Sequence, residues 1–166
     1  MRRLWAPWRA QYVQGTGGGE EQACFLCAYG AGGSRDEANV LARWRTWYAV
    51  LNAYPYINGH LMLALVRHHE GFAGLLPEEA AELPGALAAC EAALRHAYQP
   101  HGLNVGVNLG RAAGAGVVGH LHVHLMPRWS GDTNFMTTVA EMRVLPESLE
   151  ASRTRLRTAF AREETR

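Results

Sequence analysis

Three histidines stand at every second position of one segment, at His120, His122 and His124, with Leu121 and Val123 between them. An alternation of polar and apolar residues is typical of a β-strand, so all three imidazoles should point to one face of a sheet. Burying three such rings side by side would cost free energy if they had no task. The spacing therefore indicates a site for nucleophilic attack or for metal binding.

Two kinds of chemistry fit this row of rings. Three neutral imidazoles can hold a catalytic metal ion and leave a fourth position open for water. Alternatively, one ring attacks as a nucleophile while its neighbours fix its tautomer and orientation. The surrounding sequence favours the second kind, because a glycine-rich turn at 106–116 suits close backbone approach to an anion and Arg128 supplies a positive charge. These features predict that a phosphate is the group attacked.

The segment resembles the histidine triad (HIT) family of nucleotide hydrolases and transferases, whose pattern is His-x-His-x-His followed by apolar residues. Residues 48–63 are similar to the family's nucleoside-binding strand, turn and strand. Residues 4–9, 127–129 and 132–135 resemble a bacterial branch that includes diadenosine tetraphosphate phosphorylases. The resemblance covers most of the chain, from about Leu4 to the C-terminal helix.

The resemblance implies nucleotidyl transfer through a covalent intermediate. His122 is expected to attack the α-phosphorus of a dinucleoside polyphosphate such as diadenosine tetraphosphate, or of a related AMP-containing nucleotide. Water or phosphate would then resolve the nucleotidyl-histidine. His124 and His120 are expected to orient the ring and contact phosphate oxygens, unless His120 binds zinc. The expected substrate-binding residues are Asn52, Asn108, Gly114, Gly116, Arg128 and Trp129.

One position departs from the family's pattern. Many hydrolases of the family carry glutamine four residues before the first triad histidine, and the phosphorylase branch tends to carry serine, whereas this chain has Gly116. No side chain is available there to position a leaving group or an incoming phosphate, so hydrolysis and phosphorolysis both stay open. The alternatives to this function are a nucleoside phosphoramidate hydrolase, a nucleotide-binding module without turnover, and a metal-dependent hydrolase.

Cys24 and Cys27 form a Cys-x-x-Cys pair in a chain that shows no secretion signal, and this spacing favours metal or redox chemistry over a structural disulfide. The pair follows a glycine-rich loop instead of a strand-to-helix junction, which weakens the redox interpretation. The resemblance implies a structural zinc ion held by Cys24, Cys27, His68 and His120. His69 is an equally reachable alternative to His68. No organic cofactor is expected.

The composition limits the partners of this chain. At 166 residues it has the size of one domain, and 16 Lys and Arg against 15 Asp and Glu leave a formal charge of +1. There is thus no bulk electrostatic attraction to duplex nucleic acid or to an anionic membrane. No stretch approaches the ~20 apolar residues of a membrane span. We interpret the chain as a cytoplasmic protein whose partner is a nucleotide substrate.

Periodicity and breaker residues place the elements around these motifs. The first 38 residues, which carry the Cys-x-x-Cys pair, are expected to be irregular apart from a short helix near Trp8 to Val13, and 39–166 to form the HIT domain of a single globular unit. Pro84 should kink the long helix or end an early turn of it. Strands are predicted at Val40–Arg43, Trp47–Leu51, His60–Val66, Leu103–Leu109 and Leu121–Met126, and helices at Glu78–Arg95 and Glu147–Glu164.

Strands, a helix and further strands with short connections indicate an α+β fold with the helices on one face of the sheet. The resemblance implies a HIT-like fold: an antiparallel five-stranded sheet, one long helix and a C-terminal helix. It also implies a homodimer in which the sheet continues across the two-fold axis. In that dimer the C-terminal part of one subunit would lie close to the nucleotide pocket of the other.

Overall fold

The computed structural model of the chain describes residues 24–32, 37–132 and 147–163, which contain three α-helices, two single-turn 3-10 helices and five strands. A short helix comes first and is followed by three strands, a long helix, two more strands and a last helix. In chain order these are α1 (Phe25–Ala31), β1 (Val40–Arg43), β2 (Trp47–Leu51), β3 (Leu61–Leu65), α2 (Pro77–Tyr98), β4 (Gly102–Gly106), β5 (His122–Arg128) and α3 (Leu149–Glu163).

The five strands form one sheet in the order β1-β2-β3-β5-β4, and every neighbouring pair is antiparallel. The predicted α+β fold with a five-stranded antiparallel sheet is therefore confirmed. Strands β2 and β3 are buried at every position, because they lie inside the sheet and are covered on both faces. Their near-continuous apolar sequences follow from this double burial.

The larger core lies between one sheet face and the two long helices. Trp47, Leu63 and Val123 project from the sheet into this core and meet helix residues such as Ala93 and Leu156. All five are almost completely buried. The apolar period-two pattern of the strands and the apolar stripe of each helix thus bury one another.

The short helix α1 packs on the opposite face of the sheet. Tyr48 donates its hydroxyl hydrogen to the carbonyl of Leu26 at 2.7 Å, and Arg43 donates to the carbonyls of Tyr29 and Gly30 at 2.6 and 3.1 Å. The sequence predicted irregular chain here and helices on one face only. The difference arises because seven residues are too few for a clear periodic signal, whereas contact with the sheet stabilises the helix.

Most predicted element boundaries agree with the structure to within a few residues. Helix α2 continues through Pro84, so the proline does not end an early turn. The left-handed Gln99, at φ 46°, ends the helix and donates its N–H to the carbonyl of Arg95. The helix predicted near Trp8 to Val13 lies outside the described residues. Within the described part of the chain, no helix is both long and apolar enough to span a membrane.

A buried carboxylate holds the loop after β3 against α2. Glu79 is 3% exposed, and it accepts two hydrogen bonds from Arg67 and one from the N–H of Leu76, each at 2.8 Å. Arg67 also donates to the carbonyl of Gly74 at 3.0 Å. The hydrogen bonds from Arg67 lower the pKa of Glu79 to about 2. The same loop carries His68, one of the residues expected to bind zinc, so this ion pair holds the segment that carries it.

Replacing Glu79 with glutamine should lower the free energy of unfolding by about 1–3 kcal/mol at neutral pH, because the buried carboxylate loses its charge-assisted hydrogen bonds with the partly exposed Arg67. A carboxyl group whose pKa is lower in the folded chain stabilises it above its ordinary value of 4.5, and this contribution is lost as the pH falls toward about 2. The difference in free energy of unfolding between wild type and variant should therefore shrink as the pH falls through that range. Urea unfolding at about pH 7 and about pH 3 measures it.

Glu91→Gln is the matched control. Glu91 pairs with Arg95 on the same helix at 2.8 Å, but both side chains are about half exposed. Its loss should cost less than about 0.5 kcal/mol. If the loss of unfolding free energy in Glu79→Gln, relative to the wild type, stays constant down to about pH 3, the role assigned to this carboxylate is contradicted.

Candidate active site and metal centre

The triad histidines lie on the sheet face that carries α1, opposite the two long helices. On β5, His122 pairs with Ala64 and His124 with Met62, so both side chains share the face of these two residues. His120 comes just before the strand. All three histidines are buried, with at most 8% exposure. The predicted strand periodicity therefore places polar rings on one face and the apolar residues between them in the larger core.

The hydrogen bond at the central histidine fixes its tautomer. Nδ1 of His122 lies 2.8 Å from the carbonyl oxygen of His120, which can only accept, so Nδ1 carries the proton. The other ring nitrogen, Nε2, then keeps its lone pair. Burial lowers the pKa of His122, and the ring is neutral at neutral pH. A neutral imidazole with an oriented lone pair is suited to nucleophilic attack.

A fourth histidine, His60, joins the triad. The backbone N–H of Tyr56 donates to Nδ1 of His60 at 3.2 Å, so the proton of His60 is on Nε2. Nε2 lies 2.9 Å from Nδ1 of His124 and donates to it. His124 is thereby left with its proton on Nε2, the nitrogen that faces away from His60. This chain of bonds leaves His124 as a hydrogen-bond donor on its Nε2, beside the ring of His122.

Burial sets the charge of this group of rings. Burial, followed by the effects of His124 and His122, lowers the pKa of His60 to about 3. Burial and the neighbouring His122 lower the pKa of His124 to about 4. The rings are therefore neutral when nothing is bound. The negative charge of a bound phosphate would favour their protonated forms and raise these pKa values again.

The sequence did not single out His60 as a site residue. The sequence predicts it as the start of an apolar strand after the Asn58-Gly59 turn, within the segment that resembles the family's nucleoside-binding region. His60 shares the period of Met62 and Ala64, whose partners on β5 are His124 and His122. That pairing depends on which strands are neighbours, which a single strand pattern does not reveal. The available signal was a single histidine directly before an otherwise apolar strand, at the spacing of two that places it on the same sheet face as Met62 and Ala64.

Asn52 contacts this network, and the glycine-rich turn precedes the triad in the chain. The side-chain oxygen of Asn52 accepts the N–H of Tyr54 at 2.9 Å, and its amide nitrogen lies 3.3 Å from Nδ1 of His60. Asn108 donates to the carbonyl of Gly114 at 3.4 Å. Gly114 has a φ of 88°, so the turn before the triad uses backbone that favours glycine. Asn52 thus shapes its own turn and also contacts the histidine network.

The positive charge of Arg128 is paired. Its guanidinium lies 2.5 and 2.9 Å from the two carboxylate oxygens of Asp132, and it donates to the side-chain oxygen of Asn104 at 2.7 Å. Its neighbour Trp129 meets the ring of Tyr98 edge-to-face, with 6.1 Å between the ring centres. The structure therefore places these two expected substrate-binding residues in contacts within the protein, and places Asn52 on the histidine network.

The four residues expected to bind zinc meet at one point. The sulfur and nitrogen atoms that Cys24, Cys27, His68 and His120 offer all lie within 4.8 Å of one another. Nδ1 of His68 is 3.2 Å from the sulfur of Cys27, and Nδ1 of His120 is 3.3 and 3.4 Å from the two sulfurs. The ring of His69 instead donates to the carbonyl of Ala73 at 2.8 Å. His68 is therefore the histidine of this pair that faces the cysteines.

The chemistry of these donors fits zinc. Nε2 of His120 donates to the carbonyl of Leu65 at 2.6 Å, which leaves the lone pair of Nδ1 directed at the sulfurs. Burial lowers the pKa of His120, so the ring is neutral, as a metal ligand must be. Burial and the neighbouring Cys24 raise the pKa of the Cys27 thiol, and a bound cation would reverse that effect. Two thiolates and two imidazoles are a ligand set that tetrahedral zinc prefers.

Comparison with known proteins matches residues 34–131 to the HIT domain. AP-4-A phosphorylase from Mycobacterium tuberculosis is 37% identical over 168 residues, which span 98% of this chain and 86% of that protein. A Zn-bound histidine triad family protein from Mycobacterium smegmatis, known from its crystal structure, is 26% identical. It has a TM-score of 0.69 and covers 86% of this chain and 96% of its own.

A more distant structure, the diadenosine triphosphate hydrolase of Plasmodium falciparum, has a TM-score of 0.61 over 88% of this chain and 99% of its own, at 17% identity. At that identity the likeness shows the fold alone, and it agrees with the HIT-like fold that the sequence predicted. The HIT match covers more than half of the chain, and the mycobacterial relative spans nearly all of it. The chain therefore belongs to the HIT family and is an enzyme of that family.

Proposed function

We propose that this enzyme transfers the nucleotidyl group of a dinucleoside polyphosphate, such as diadenosine tetraphosphate, through a covalent nucleotidyl-histidine. The observation that carries the proposal is the orientation of His122. Its Nδ1–H is fixed on the carbonyl of His120 at 2.8 Å, so the lone pair of Nε2 is available for attack. The 37% identity to a protein named AP-4-A phosphorylase supports this class of substrate.

In the first step, Nε2 of His122 bonds to the α-phosphorus, and the bond from that phosphorus to the bridging oxygen breaks. The leaving nucleoside polyphosphate departs with the electron pair of that oxygen. His124, with its proton on Nε2, donates a hydrogen bond to the departing or equatorial oxygen. In the second step, water or phosphate attacks the same phosphorus and releases His122. Dividing one displacement into two is the advantage of a covalent intermediate.

The backbone around Gly114 and Gly116 would stabilise negative charge on the equatorial oxygens, with Asn108 holding the turn through Gly114. Asn52 and Trp129 are proposed to contact the nucleoside, and Arg128 the phosphate chain. Burial of the histidines excludes water from most of their surface. This strengthens the electrostatic interactions in the site.

Product analysis tests the proposal. Diadenosine tetraphosphate is incubated with the enzyme, with and without inorganic phosphate, and the products are separated. Phosphate as acceptor gives ADP and ATP, whereas water as acceptor gives AMP and ATP. We expect ADP in the presence of phosphate, as the name of the mycobacterial relative suggests. Gly116 offers no side chain to favour either acceptor, so both products should be quantified.

Two outcomes would overturn the proposal. Tight binding of AMP without any turnover would identify a nucleotide-binding module. Cleavage of adenosine phosphoramidate together with inertness toward dinucleoside polyphosphates would identify a phosphoramidate hydrolase of the same family. Each substrate should therefore be assayed with the same enzyme preparation.

We also propose that Cys24, Cys27, His68 and His120 hold one structural zinc ion. Zinc bound there would join α1 to the loop after β3 and to the start of β5, and it would supply cross-linking and not substrate activation. Four protein ligands leave no open position for water. His120 would then serve the triad through its backbone carbonyl, and His124 would contact the phosphate.

A homodimer in the cytoplasm is the proposed state of the protein. Strand β4 is an edge of the sheet, and Val105 on it is 55% exposed, with Leu109 beyond it 48% exposed. Unpaired edges and exposed apolar side chains are commonly covered by a partner. A two-fold contact would cover both copies at once. Light scattering across a dilution series, with activity measured in parallel, tests whether a monomer is inactive as expected; a fully active monomer would contradict the dimeric site.

A further inference from the structure

The ring of Tyr98, the last residue of α2, is pressed against the backbone of Gly59. A Cβ atom added to Gly59 would lie 2.6 Å from Cε2 of Tyr98 and 3.0 Å from two further ring atoms. Gly59 also has a φ of 74°, which favours glycine for a second reason. This residue immediately precedes His60. The tyrosine ring therefore touches the chain one residue away from the histidine network.

The ring of Tyr98 is fixed by other contacts as well. Its hydroxyl donates to Glu147 at 2.9 Å, and Glu147 also accepts hydrogen bonds from Ser152 and Arg155 at 2.9 Å each. The guanidinium carbon of Arg155 lies 5.3 Å from the centre of the ring, and Trp129 approaches the ring edge-to-face. The carboxylate of Glu147, the guanidinium of Arg155 and the indole of Trp129 thus hold the ring in one orientation. None of these residues belongs to the turn that the ring touches.

The turn that Tyr98 touches sets the position of His60. The N–H of His60 donates to the carbonyl of Ile57 at 3.2 Å, and its carbonyl accepts the N–H of Asn52 at 3.0 Å. The side chain of His60 is then fixed between the N–H of Tyr56 and the ring of His124. A shift of Gly59 would move the backbone and the ring of His60 together. The hydrogen bond of 2.9 Å from His60 to His124 would then lengthen or lose its alignment.

We propose that Tyr98 is a positioning residue for the His60–His124 pair: its ring supports the Gly59–His60 turn and so maintains the tautomer of His124. Tyr98 does not need to touch the substrate for this role. The consequence for turnover rests on the proposed function, whereas the consequence for the tautomer of His124 does not. Displacements near 1 Å at a catalytic group can lower a rate by about 100-fold.

Two substitutions of Tyr98 separate the effect of its ring from the effect of its hydroxyl group. Tyr98→Leu removes the ring and leaves space beside Gly59, so we expect kcat to fall by about 10- to 100-fold while the affinity for AMP changes by less than about threefold. Tyr98→Phe keeps the ring against Gly59 and loses only the bond to Glu147. Its kcat should stay within a few-fold of the wild type.

The deciding measurement is the nitrogen-15 spectrum of the histidine rings, because chemical shifts distinguish the two neutral tautomers. In the wild type and in Tyr98→Phe, His124 should be protonated at Nε2 alone. In Tyr98→Leu, the signals of His124 should show a mixture of tautomers. This readout needs no substrate, so an enzyme without transfer activity would overturn the proposed function and still leave the positioning role open to measurement.

Leu94→Val controls for a general loss of stability, since Leu94 is fully buried on the same helix and faces the larger core. It should leave the histidine signals unchanged. The role of Tyr98 is overturned if Tyr98→Leu keeps the wild-type tautomer, or if Leu94→Val alters the signals equally. Should Tyr98→Leu fail to fold, Gly59→Ala displaces the ring from the other side, and the same mixture of tautomers is expected. Unchanged His124 signals in that variant would overturn the role.

Discussion

His122→Ala should lower turnover of diadenosine tetraphosphate by several orders of magnitude while AMP still binds with nearly unchanged affinity. The deletion removes the atom that bonds to phosphorus, whereas the contacts to the ground state remain. His122 is buried, and its ring bonds to the carbonyl of His120 at 2.8 Å, two residues earlier in the same segment. This hydrogen bond therefore does not connect His122 to another helix or strand. Initial rates and calorimetric titration with AMP measure the two quantities.

His101→Ala is the matched control for this experiment. His101 is exposed, and Nδ1 of its ring accepts the N–H of Ser130 at 2.9 Å and lies 3.1 Å from the hydroxyl oxygen of the same residue. Its loss should leave turnover within about twofold, as expected for a surface change away from the site. Near-normal turnover in His122→Ala would contradict the covalent mechanism.

Replacing each triad histidine in turn distinguishes the covalent mechanism from that of a metal-dependent hydrolase. If the three histidines held a catalytic ion, replacing His120, His122 or His124 would be equally damaging, and chelation would abolish the chemical step. The hydrogen bonds assign them different roles instead. His120 directs Nδ1 toward the two cysteines, His122 keeps a free Nε2, and His124 accepts from His60. We therefore expect graded losses, with the largest at His122.

Periodicity predicted the sheet and the shared face of the triad because these features depend on residues close in sequence. The alternation around His122 and the apolar runs of β2 and β3 specify which side chains are buried, whatever their neighbours are. That the sheet has five antiparallel strands followed from the resemblance to a known family, which did not extend to the order of the strands. The HIT-domain match and the antiparallel sheet agree with that expectation.

Features that depend on distant partners were not predictable in this way. The network role of His60 exists only because β3 lies beside β5, and α1 is helical because Tyr48 and Arg43 contact it across many intervening residues. Arg128 was expected to face phosphate as a fixed charge, and Asp132, four residues later, pairs with it. A charge in sequence does not reveal its counterion until the turn between them is known.

Removing zinc should lower the stability of the protein more than it lowers the rate of the chemical step. A ligand present at about 1,000 times its dissociation constant stabilises the folded state by about 4 kcal/mol. For a chain of this size, that loss should lower Tm by roughly 8–16 °C. The zinc would connect Cys24, just before α1, and Cys27 of α1 with His68 and His120, so α1 should detach first. Thermal unfolding with and without a chelator measures the change.

Cys27→Ser should lose the metal and show a Tm close to that of the chelated wild type, because one of the two thiolates is gone. Cys90→Ala is the control, since Cys90 is fully buried in the larger core and lies outside the metal-binding group. It should retain one zinc per chain by elemental analysis, although a small cavity lowers its Tm. Wild-type protein purified without chelator that contains no zinc would contradict the site. A chemical step that disappears with the metal while Tm stays constant would instead indicate a catalytic ion, and His122 would no longer be the group that attacks phosphorus.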